Sequence, residues 1–174
     1  MPPFDSDESI SQVHRGRFRG VNGINVAVKV QGPGIFGEIA LNLHVLRLLT
    51  PTQTRYQNAI NGQSTEPGDV EQGVSLMDKW GWGFVAETDY RLEARNTMQF
   101  EAAMRKRGLD AVCAPTVVEG LVWDEVLVTE WVEGTRLDRD ASEDVPRLCG
   151  VAINAYLTML LDTGVLHCDP HPGE

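Results

Sequence analysis

Residues 12–18 and 24–30, the second with alternating positions, predict two strands joined by a tight connection carrying Asn22-Gly23, a strong hairpin signal. In the second strand, INVAVKV, the period of two sets Val26, Val28 and Val30 on one face and Ala27 and Lys29 on the other. Pro33-Gly34 ends it, and Ile35, Ile39, Leu43 and Leu46 then recur at helical spacing, predicting a helix over 35–49 closed by Pro51. Residues 50–73 are rich in Thr, Gln, Asn, Gly and Pro, lack apolar periodicity, and are expected to form a mobile surface loop.

Helical spacing returns after a predicted turn at Trp80–Gly83 and runs over 85–107, with Gly108 as C-terminal cap and Glu87–Arg91 and Glu101–Arg105 as surface pairs four residues apart. A second strand pair is expected at 115–122 and 126–132 around Trp123-Asp124, and Glu133-Gly134 leads away from it. The last helix, 145–161, is apolar nearly all round, through Leu148, Val151, Ala155, Tyr156, Met159 and Leu160, a pattern that calls for burial from several sides. The thirteen residues from Asp162 to Glu174 are too few to supply that cover, so the chain is expected to be part of a larger fold.

Composition narrows the possible functions. With 42% hydrophobic and 23% charged residues in 174, the chain can bury a core, as one compact domain or two small lobes. A net charge of -10 and a pI near 4.8 argue against binding a phosphate backbone, so no nucleic-acid partner is expected. The three cysteines, Cys113, Cys149 and Cys168, are widely spaced with no C-x-x-C pair, which reads as reduced thiols. No run approaches the roughly 20 apolar residues of a membrane span, and the first residues, MPPFDSDESI, show no visible targeting segment.

Candidate chemistry begins with one charge on a helix face. Ala86, Tyr90, Glu93, Thr97, Phe100 and Met104 recur at steps of three and four, and Glu93 is the only charged residue among them. An inward carboxylate needs a cation, because an unpaired buried charge is costly, and Lys29 is the candidate. The alternative is a solvated strand-edge lysine and an unrelated helix-flank glutamate. Protein kinases hold nucleotide phosphates with such a strand lysine and helix glutamate, and VAVKV matches their V-A-I-K strand.

In the last residues, LHCDPHPGE, His167, Asp169 and Glu174 occupy the spacing of a kinase catalytic His-x-Asp and of the metal-binding position five residues on. Asp169 could take a proton from an attacking hydroxyl or orient water. A proline-rich turn with an incidental aspartate is the plainer reading. Zinc bound by His167, Cys168, Asp169 and His171 is disfavoured, since four donors within five residues cannot surround a tetrahedral ion. Between these segments, VLVTEWVEG fits a kinase gatekeeper, Thr129, followed by an adenine-reading segment, Glu130 to Val132.

Taken in order, QVHRG, VAVKVQGPGI, ETDYRLEARNTMQF, VLVTEWVEGTRL and GVLHCDPHPG resemble the signature blocks of the UbiB/aarF-domain family of atypical protein-kinase-like proteins, most like plastid and cyanobacterial members. The resemblance implies an α+β, protein-kinase-like fold. An N-lobe of antiparallel sheet plus helices would occupy residues 1–132, with the loop 50–73, and a partial helical C-lobe 133–174. It further implies ATP and Mg2+ as cofactors, and ATPase or small-molecule or lipid kinase activity in support of isoprenoid-quinone or prenyl-lipid metabolism. Pathway proteins or a membrane surface would be partners, and a plastid or mitochondrion the location.

Residue by residue, Lys29 would contact the ATP phosphates and Glu93 would pair with it. Glu87 and Asp89 would be the family's E-x-D pair, and Glu130 and Val132 the adenine-reading backbone. Asp169, with His167, would be catalytic, and Glu174 would stand in the metal position usually held by Asn. Departures from the family pattern are the acidic loop DSDESISQVH, in which Ser11 replaces a glycine and Asp5, Asp7 and Glu8 lie near the expected phosphates, and the lack of a D-F-G segment. These departures support an alternative, a catalytically inactive nucleotide-binding or interaction module.

Overall fold

The computed structural model describes residues 11–19, 23–164 and 166. Among them the elements run in the order β1 (Ser11–Arg17), β2 (Asn25–Gln31), α1 (Ile35–Ile60), α2 (Pro67–Glu87), α3 (Tyr90–Lys106), β3 (Val117–Val122), β4 (Val126–Glu130) and α4 (Val145–Thr158), which passes into a π turn, Met159–Thr163. The strands form one sheet in the order β1-β2-β4-β3. Its central pairing is antiparallel: the Gln31 N–H donates to Glu125 O and the Trp131 N–H to Asn25 O, both at about 3 Å, so positions rise on one strand as they fall on the other. The α+β class and the strand positions agree with the sequence to within a residue or two.

Two compact units make up the chain, one of Met1–His14, Val28–Glu93 and Leu121–Leu127, the other of Arg15–Ala27, Ala94–Gly120 and Val128–Glu174. The first contains the largest departure from expectation. Residues 50–73 are not a loop: α1 continues through Pro51 to Ile60, and α2 begins at Pro67, leaving 61–66 as the connection. Thr50, Thr54 and Asn58, four residues apart, form a half-buried seam facing α2. There the Asn58 side chain donates to Asp69, and the Arg47 guanidinium pairs with Asp78 at 2.6 Å.

The two helices meet at small residues. A Cβ on Gly73 would come within 2.9 Å of Thr54 Oγ1, and one on Gly81 within 3.4 Å of Leu43. That close approach explains why Trp80–Gly83, expected as a turn, lies inside α2: Gly81 is the notch for Leu43. A capping box between Glu66 and Asp69, followed by Pro67, starts α2.

The helix expected over 85–107 is two helices. α2 stops at Glu87, where the Thr88 hydroxyl turns back to Val85 O, and α3 restarts at Tyr90, with Asp89 accepting from the Arg91 N–H at 3.0 Å. The expected Glu87–Arg91 pair is therefore replaced by Asp89–Arg91, because the break takes Glu87 off the face of α3.

In the second unit, α3 ends as expected at Gly108, whose φ of +70° only glycine adopts readily. The Gly108 N–H donates to Arg105 O and the Leu109 N–H to Met104 O, the two bonds of a Schellman motif. Glu101–Arg105 pairs at 2.6 Å as the spacing predicts. Met104 has no exposed surface, and Val26, Ala94, Val117, Val128 and Ala155 join it in the buried apolar set of this unit. On α4 only Ala155 is buried, while Ile153 is 60% exposed and Leu161, in the π turn that follows, 78%, in line with the expectation that this helix lacks cover.

Candidate functional site

The clearest chemistry lies in the first unit. Strand alternation turns Lys29 away from the valine face, and Glu93 sits one turn into α3, on the same stripe as buried Tyr90. The Lys29 ammonium donates to both carboxylate oxygens of Glu93 at 3.0 Å and lies 4.9 Å from the centre of the Tyr90 ring. The pair expected from sequence is thus formed, and Tyr90 adds an aromatic platform that sequence reasoning placed on the face without giving it a role.

Three backbone ties hold the pair in register. The Gln31 side chain donates to Thr88 O at 3.1 Å, the Gln31 N–H to Glu125 O at 2.9 Å, and the Tyr90 N–H to Asp124 O at 3.0 Å. β2, the start of α3 and the turn between β3 and β4 are thereby fastened together. Both charged side chains remain about one-third exposed, so the ion pair contributes on the order of 0–1 kcal/mol to stability. Both Glu93 oxygens lie within hydrogen-bonding distance of the ammonium, which carries three N–H donors.

The remaining expected residues fare differently. Asp89 accepts from the Arg91 guanidinium at 2.9 Å, and this hydrogen bond, with the charge of Asp89, raises the Arg91 pKa above its usual value. Glu87 is exposed at the end of α2 and forms no ion pair among the described residues. Ser11 is buried in β1. His167, Asp169 and Glu174, the acidic residues Asp5, Asp7 and Glu8, and Cys168 lie outside the described residues. Cys113 and Cys149 are free thiols. Among the described residues no group of three or more His, Cys, Asp or Glu side chains could hold a metal, and no helix is long and apolar enough to cross a membrane.

In the second unit, the segment expected to read adenine leaves β4 with two backbone hydrogen bonds. The Glu130 N–H donates to Thr116 O at 2.7 Å and the Trp131 N–H to Asn25 O at 3.0 Å. Thr129 is half-buried and Val132 is 57% exposed. Arg15 of β1, unsuspected from sequence, stacks 4.8 Å from the centre of the Trp131 ring and pairs with Glu133. Elsewhere in this unit Arg107 pairs with Asp162, a hydrogen bond that holds the Asp162 carboxyl below the usual carboxylate range.

An antiparallel sheet whose lysine is gripped by both oxygens of a helix glutamate defines a kinase-like protein. The chain belongs to the family described as the ABC1 atypical kinase-like domain, which matches residues 6–174. It is 34% identical over 171 residues to the protein ACTIVITY OF BC1 COMPLEX KINASE 1, chloroplastic, of Arabidopsis thaliana, covering 95% of this chain and 24% of that protein. With an uncharacterized protein of Synechocystis sp. it shares 29% identity over 171 residues, covering 95% of this chain and 23% of the other. Among solved structures it is similar to Rv3197 of Mycobacterium tuberculosis, determined in complex with erythromycin, with a TM-score of 0.62 and 26% identity over 99% of this chain and 40% of that one. The chain spans about a quarter of the length of the curated relatives it matches.

Proposed function

We propose that this chain is the nucleotide-binding part of an atypical kinase-like protein that takes ATP with Mg2+ and serves as an ATPase or a small-molecule or lipid kinase. The observation that supports it most is the two-oxygen grip of Glu93 on Lys29, which holds a strand ammonium in place. In this proposal Lys29 donates to the phosphates and Glu93 holds it in place. Glu130 and Val132 offer backbone groups to adenine. Asp169, beside His167, orients the attacking group, and Glu174, a hard oxygen donor, ligates magnesium. Magnesium supplies neutralisation of the phosphate charge. Glu87 and Asp89 fill the E-x-D positions, with Asp89 tied up by Arg91.

The proposed lobes are residues 1–132 and 133–174. Location in a plastid accords with relatives named chloroplastic, and a role in isoprenoid-quinone or prenyl-lipid metabolism is part of the same proposal, resting on the family resemblance. A second reading, a non-catalytic nucleotide-binding module, is favoured by one observation: Ser11, in the position of a family glycine, is buried in β1.

Thermal unfolding of the chain with and without magnesium-ATP, beside Lys29→Ala, tests the proposal. A ligand that binds only the folded state stabilises it by about 2.7 kcal/mol at a hundredfold excess over Kd. The wild-type transition should rise by several degrees with nucleotide and that of Lys29→Ala should not move. A cooperative wild-type transition indifferent to magnesium-ATP would refute nucleotide binding, and binding without phosphate release would favour the second reading.

A further inference from the structure

Resting on the nucleotide-binding function proposed above, we propose that Arg15 is a positioning residue for the base: its guanidinium fixes Val132 by holding the residues on either side of it. Within the second unit, Arg15 lies 4.8 Å from the centre of the Trp131 ring and pairs with the Glu133 carboxylate. Trp131 precedes Val132 and Glu133 follows it, so one side chain grips both neighbours of the residue whose backbone would meet adenine. The Trp131 N–H is already committed to Asn25 O, which pins the near side of the segment to β2. Val132 itself is 57% exposed, so its position depends on how its two neighbours are held.

The chemistry suits this role better than a structural one. Glu133 is 70% exposed and the arginine 36%, so the ion pair is screened and adds little to global stability. Its effect is local order. A planar guanidinium can stack on an indole and donate to a carboxylate at once, whereas an ammonium offers a point charge without the flat face.

The test compares three ligands on wild type, Arg15→Ala, Arg15→Lys and Glu133→Gln: magnesium-ATP, magnesium-GTP and magnesium-tripolyphosphate, with amide hydrogen exchange of residues 130–133 followed in the ligand-free proteins. Arg15→Ala should weaken ATP about fivefold, with the exchange of these amides accelerated and tripolyphosphate binding unchanged. Its preference for ATP over GTP should shrink. Glu133→Gln should shift ATP in the same direction by about twofold, and Arg15→Lys should fall between wild type and Arg15→Ala. Equal weakening of ATP and tripolyphosphate would make Arg15 a phosphate contact and overturn the assignment. Unchanged exchange at 130–133 would overturn it as well. Failure of wild type to bind any of the three ligands would instead overturn the nucleotide-binding function itself.

Discussion

Helix α3 and the α1–α2 hairpin bury themselves by opposite means. α3 follows the familiar rule: Tyr90, Ala94 and Met104 are buried along one stripe, and Glu101 and Arg105 pair on its outer side. In the hairpin the close contact is made by Gly73, Gly81, Thr50 and Thr54, while Leu41, Leu48, Leu49, Tyr56, Trp80 and Trp82 stand half or more exposed. Apolar character marks the buried face of α3 and the open face of α1. Hydrophobicity therefore locates a core only where the helix meets its neighbour through large side chains.

Three substitutions test that contrast. Met104→Ala, at a site with no exposed surface, should cost about 3 kcal/mol in denaturant unfolding, since lost transfer energy and an unfilled cavity add. A cost below about 1 kcal/mol would mean that α3 is not packed as described. Gly73→Val should cost about 2 kcal/mol, because its Cβ would meet Thr54 Oγ1 at 2.9 Å, and Thr54→Ala in the same chain should recover much of the loss. Recovery absent from that double variant would place the hairpin contact elsewhere. Leu48→Gln, at a leucine 62% exposed, should change stability by no more than about 0.5 kcal/mol. A loss comparable to that of Met104→Ala would show that the outer face of α1 is covered, and the contrast would fail.

The same contrast explains what was legible in the sequence. Alternating valines with a single lysine, and a helical stripe with a single glutamate, point at each other because an inward charge demands a partner, and Lys29 and Glu93 do meet. The helical nature of residues 50–60 was hidden because its reporters are threonines and an asparagine facing small residues, a seam without apolar period. Pro51 reinforced the error: it is a strong stop signal, yet the helix passes through it where the packing of α2 outweighs the local preference. Trp80–Gly83 misled for a related reason, since glycine can mark a turn or a close helix contact with the same letter. Arg15 escaped notice because its partner Glu133 lies 118 positions away, and the two signature blocks that hold them gave no sign of the pairing.

The ties around Tyr90 act on α3 as a pin acts on a lever. With its first residue fastened to Asp124 and the Thr88 carbonyl, two residues earlier, to Gln31, the helix has its fulcrum at the start, and Glu93 stands three residues, about 4.5 Å, from it. A tilt of about 20° would carry Glu93 less than about 2 Å, whereas Lys106, at the other end, would swing several times as far. The short arm keeps Glu93 against Lys29. A kinase-like protein built this way would not be switched by swinging this helix away from its lysine; control of the ion pair would have to act on the pin.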